Sequence, residues 1–209
     1  MTKYEPPLST PVGSADARAR SSPSAMRHPA AILGALGALS GLLSAFVPGP
    51  ALGTEVLPGN LALYMVLAGF WFGLVIGYGV FSFANRTGAA VSGTLIGTWL
   101  AWEVAVNVAL QLDDNWLKLA GLPEPMRTYI SGFIAGEIGA LITWAAAAAH
   151  SPQLRQPHAA IMVGTAGALL GLLLPLSISS DIPAILFVPW QAAVAATLGY
   201  FLVRPTAGG

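Results

Sequence analysis

The chain has no cysteine among its 209 residues. That excludes disulfides, thiolate metal sites and cysteine nucleophiles. Charge is almost as scarce. Nine Lys/Arg and nine Asp/Glu make up 9% of the chain, against about 25% in an ordinary soluble domain. So few charges cannot solvate a globule of this size, and with a mean hydropathy of +0.69 the expected solvent is lipid. The two signs cancel, so no net charge directs the chain to nucleic acid.

Catalytic signals are also missing. His28, His150 and His158 lie at the ends of separate apolar runs. No carboxylate spacing supports them, so neither a metal site nor a cofactor is expected. There is no Gly-x-Ser-x-Gly elbow, no His-Glu-x-x-His pair and no phosphate loop. No lysine falls within an apolar run, which excludes a Schiff base in the membrane. An enzyme is not the expected class.

What the sequence does contain is six apolar runs: Pro29–Val47, Leu61–Phe83, Gly88–Leu112, Tyr129–His150, Ala159–Leu176 and Ile182–Val203. Each is near the roughly 20 residues that cross a bilayer as a helix. The expected fold is all-α: a polytopic integral membrane protein, a bundle of six transmembrane helices spanning 29–203. Residues 1–28, rich in Pro, Ser, Ala and Arg, read as a disordered tail rather than a signal peptide, and 204–209 as a short C-terminal tail. Alternating the spans puts Lys3, Arg18, Arg20, Arg27, Arg86, Arg155 and Arg204 on one side and Lys118 and Arg127 on the other. The positive-inside bias predicts both termini on the cytoplasmic side of a plasma or inner membrane. In the second outer loop, Asp113 or Asp114 is expected to cap a short helix that Gly121 stops.

Small residues recur four apart in every span, for example Gly37/Gly41, Gly69/Gly73/Gly77, Gly132/Gly136 and Gly167/Gly171. Such rows let membrane helices approach closely, within one chain or between chains.

Two ionisable residues lie well inside a span, Glu103 and Glu137, and such residues mark a site by default. Trp99, Glu103, Asn107 and Gln111 are spaced four apart, so a helix presents them as one polar stripe. Counted from the outer ends of their runs at 1.5 Å per residue, Glu103, Glu137 and Gln191 sit at similar depths, roughly 12–13 Å. Trp71, Trp102 and Trp190 fall in the same layer. The expected site is therefore Glu103, Glu137, Asn107 and Gln191 with the indoles of Trp102 and Trp190. Two carboxyls in a low dielectric do not both ionise cheaply, so one is expected to hold a proton. Carboxylate and indole together suit a proton or a small cationic solute. The plainer expectation is structural: Glu103 hydrogen-bonds Asn107 one turn away and glues helices together, while Trp99 and Trp144 only pack.

Two functions follow. One is a carrier or solute-binding membrane subunit with a polar site in the outer half of the bilayer. The other is a non-catalytic structural or assembly subunit, docking membrane-protein partners or a second copy through its glycine faces. Six short spans with longer outer loops are similar in outline to the substrate-binding subunits of vitamin uptake systems, but no motif assigns that family.

Overall fold

The computed structural model describes residues 29–50, 52–57 and 61–202; the two expected tails, 1–28 and 204–209, lie outside these. Among the described residues six helices are long and apolar enough to cross a membrane. They are α1 (Pro29–Phe46), α2 (Val66–Phe83), α3 (Gly88–Leu119), α4 (Glu124–His150), α5 (Pro157–Ser180) and α6 (Ala184–Leu202). A short antiparallel pair, β1 (Leu52–Leu57) and β2 (Leu61–Leu63), joins α1 to α2.

The helix limits differ from the apolar runs for local reasons. Leu61–Leu63 is strand, so the second helix begins at Val66. The third does not stop at Leu112. It continues through a π-helical turn at Leu112–Trp116 to Leu119, and Gly121 ends it at φ 78°. Asp113 and Asp114 thus lie within a continuing helix, not at the cap of a separate one. The fourth helix starts early, at Glu124, with Pro123 as N-cap and Pro125 in the first turn, a place where a missing N–H costs little.

Consecutive helices run antiparallel, so one end of the bundle holds the start of α1 and the end of α6. Gly199 packs against Pro29 and Ala30 there. The other end carries the β1–β2 hairpin and the Asp113–Thr128 turn. They are called here the terminal end and the hairpin end. At the terminal end the α4–α5 link folds inward: Leu154 is buried and its carbonyl accepts from Trp144 Nε1 at 2.8 Å. Arg155 donates to the Ala148 and Ala149 carbonyls, satisfying the last turn of α4 where a cation suits the helix dipole.

The glycine rows face other helices of the same chain. A Cβ on Gly37 or Gly41 would collide with the α6 backbone, and one on Gly69 with Trp102. The tightest seam joins α4 and α5. There a Cβ on Gly136 would lie 2.3 Å from the Gly167 carbonyl, and one on Gly132 2.4 Å from that of Gly171.

Candidate functional site

The polar stripe of α3 is built against a backbone. Trp99 Nε1 donates to the Val66 carbonyl at 3.1 Å. The Glu103 carboxylate accepts the Tyr64 N–H at 2.7 Å. Asn107 binds both groups of Ala62, donating to its carbonyl at 2.8 Å and accepting its N–H at 3.2 Å. The spacing explains the match. Four residues of helix rise about 6 Å, and two residues of extended chain advance about 6.6 Å. Side chains at 103 and 107 therefore meet residues 64 and 62, while Trp99 meets Val66, the first residue of α2, across the left-handed turn at Met65. Trp102 Nε1 adds a bond to the Tyr64 carbonyl at 3.3 Å. The fourth member, Gln111, accepts from Asn115 instead.

This arrangement meets a physical demand. Asn107 lies six residues, roughly 9 Å, below Asp113, the first charged residue of the α3 end. Ala62 is only 2% exposed, and buried backbone needs hydrogen-bond partners within the protein. The stripe supplies them. It also fixes Met65, which stands in the left-handed region at φ 52°, a conformation costing a side-chain-bearing residue about 1–2 kcal/mol. Tyr64 before it and Val66 after it are both held by α3.

The six residues expected to form one polar site have different neighbours. Glu103 is buried, with only 4% of its surface exposed. Asn107 donates to the Glu103 backbone carbonyl at 2.8 Å, while the Glu103 carboxylate takes Tyr64. Gln191 is fully buried and turned to α1: Ser40 Oγ donates to its Oε1, and its Nε2 donates to Ser44 Oγ at 3.0 Å. Glu137 lies along α5, its Cγ beside Gly164. Among the described residues no hydrogen bond links Glu103, Glu137 and Gln191.

Trp102 and Trp190 come together at one cavity. Both line an apolar cavity of about 230 Å³ between α3, α4, α5 and α6. Its deepest wall residues are Trp102, Gly136, Gly171 and Trp190, and it reaches the surface at Met65, Leu110 and Ile178 near the hairpin end. Trp102 meets Phe187 edge-on, with ring centroids 5.0 Å apart. Trp190 stacks at a tilt on Phe72 and donates Nε1 to the Gly167 carbonyl at 3.1 Å. The carboxylate on the cavity wall, Asp113, is engaged. It accepts from Arg127 Nε at 3.2 Å and from Thr128 Oγ1 at 3.0 Å, which pins the start of α4 to α3 across the mouth.

Sequence reasoning missed Met65, Phe187 and the Asp113–Arg127–Thr128 cluster. It also missed Ser40 and Ser44, although their spacing of four on an apolar helix signals a polar partner. Compared with known proteins, the chain matches no protein-family model, no curated protein and no solved structure.

Proposed function

We propose that this protein is a membrane-embedded binding protein or carrier for a small, uncharged, apolar solute, taken into the α3–α6 cavity from the hairpin side. The cavity carries this reading. Its walls are aromatic and aliphatic, and its volume of about 230 Å³ exceeds the roughly 150 Å³ that is enough for benzene in an apolar protein cavity. Ligand sites of this kind are concave, mostly apolar and largely pre-formed.

The carboxylates favour a neutral solute over a cation. Glu103 stands outside the cavity lining with one carboxylate oxygen on Tyr64, and Asp113 is engaged by Arg127 and Thr128. Glu137 stands outside the cavity lining, beside α5. In this scheme Glu103 and Asn107 are positioning residues: they hold Tyr64 and Ala62, just before Met65, and Met65 forms part of the cavity wall. The Lys/Arg bias supports an orientation with the terminal end in the cytoplasm and the cavity mouth outside, in a plasma or inner membrane.

The structural-subunit alternative draws less support, because the glycine faces proposed for docking partners are filled by helices of the same chain. Saturable binding of iodobenzene, detected by quenching of tryptophan fluorescence, tests the solute reading.

A further inference from the structure

Buried hydroxyls in helices normally bond back to a carbonyl three or four residues earlier. Ser40, Ser44, Thr128 and Ser131 do so here. Ser151 and Ser177, also buried, have partners of their own. Among the described residues three buried hydroxyls have none: Thr94, Thr98 and Thr143, each at most 1% exposed. Oε1 of Glu103 is the fourth unpartnered buried atom, but it sits about 140° round α3 from Thr98 at 100° per residue, on another face.

Two of the three threonines lie at one depth, and the third is a turn further on. Thr98 is one turn and Thr94 two turns from Trp102 toward the terminal end, on the same face of α3. On α4, Thr143 falls between Gly139, which packs against Ala105 and the Trp190 ring, and Ala146, which packs against Gly97. That register sets Thr143 opposite residue 100, level with the gap between Trp102 and Thr98. Thr98 and Thr143 are therefore just beneath the indole floor of the cavity, and Thr94 lies one turn further toward the terminal end, roughly 12 Å from Trp102 along α3.

A hydroxyl both donates and accepts, and a buried site of several hydroxyls with no protein partner is one that water fills. We propose that Thr94, Thr98 and Thr143 bind water in the terminal-end half of the bundle and line the continuation of the solute route beyond the Trp102–Trp190 floor. This rests on the solute reading above. It adds that the route does not end at the cavity.

The absence of cysteine from the sequence makes the test direct. Thr98→Cys and Thr143→Cys are made in the full chain and exposed, in sealed membrane vesicles of each orientation, to a cationic, membrane-impermeant methanethiosulfonate. Because the reagent needs a thiolate, and so water at the thiol, both variants are expected to react roughly tenfold faster than Ser40→Cys, from the terminal side. Ser40 is a suitable control, since it is buried at 3% exposure and its hydroxyl has protein acceptors in the Gly37 carbonyl and Gln191 Oε1. Rates no faster than Ser40→Cys overturn the proposal, and so does faster reaction from the hairpin side. Thr98→Val gives a second readout. If the hydroxyl binds water, the Val variant melts lower; a dry, unpartnered hydroxyl predicts a higher melting temperature, which also overturns it. Iodobenzene quenching is measured separately, so its loss with labelling intact removes the solute reading alone.

Discussion

The Glu103 carboxylate accepts the backbone N–H of Tyr64 at 2.7 Å, and this bond is the middle rung of three. Trp99 holds Val66 on one side of it and Asn107 holds Ala62 on the other. A helix face with a repeat of four thus serves as the hydrogen-bonding partner of the extended chain at residues 62 and 64 and of Val66, the first residue of α2.

Glutamine at 103 keeps a carbonyl oxygen for Tyr64, whereas leucine leaves the buried N–H without an acceptor. Glu103→Gln is expected to unfold within about 1 kcal/mol of the parent, on the scale of one polar contact between membrane helices. Glu103→Leu is expected to lose about 1–3 kcal/mol. Reversible unfolding in mixed micelles measures both. Equal losses would show that the carboxylate does something other than accept this bond.

Met65 separates two of the rungs in a left-handed conformation. Met65→Gly relieves about 1 kcal/mol of backbone strain, offsetting lost side-chain contact, so its melting temperature should stay near that of the parent. Met65→Val puts a β-branched residue where it fits worst and should lower the melting temperature by several degrees. Co-melting of the two variants would argue that Met65 is not held at positive φ.

The α4–α5 seam leaves no room for a methyl group at Gly136. Gly136→Ala should therefore cost about 1–3 kcal/mol, as overpacking does. Gly88→Ala is the matched control, since nothing lies within 4 Å of a Cβ there, and it should be neutral. Thermal melts in detergent decide between them.

Orientation is testable at two charged positions on opposite ends of the bundle. With an impermeant thiol reagent on intact cells, Lys118→Cys should label and Arg155→Cys should label only after the cells are opened. The reverse pattern would place the cavity mouth in the cytoplasm.

The six long apolar helices were legible because hydropathy over about 20 residues survives any detail of packing. The stripe at 99, 103 and 107 was legible from its spacing. Its partner was not. The run Leu61–Phe83 is apolar throughout, and hydropathy does not separate a strand that dips into the bundle from the first turn of a helix. A cue was present in Pro58-Gly59-Asn60, turn residues between two apolar runs, which is a hairpin pattern. Depth counting set Glu103, Glu137 and Gln191 at one level but carried no information about direction round each helix. Gln191 meets Ser40 and Ser44 on α1, a pairing that depends on which helices are neighbours. The cavity was illegible for the same reason, since its wall comes from four helices and no single one carries a signature.

The most direct test of the solute reading is equilibrium quenching of tryptophan fluorescence by iodobenzene, an uncharged aromatic heavy-atom quencher, on the purified full chain in detergent. Trp102 and Trp190 form the cavity floor, so a saturable quenching component is expected. Ala135→Phe, which fills the cavity from α4, should abolish that component without shifting the melting temperature by more than a few degrees. The cationic analogue 4-iodobenzylammonium should lack it. Quenching that is linear in iodobenzene and unchanged in Ala135→Phe, or saturable quenching by the cation equal to that by iodobenzene, would contradict an apolar solute site between α3 and α6.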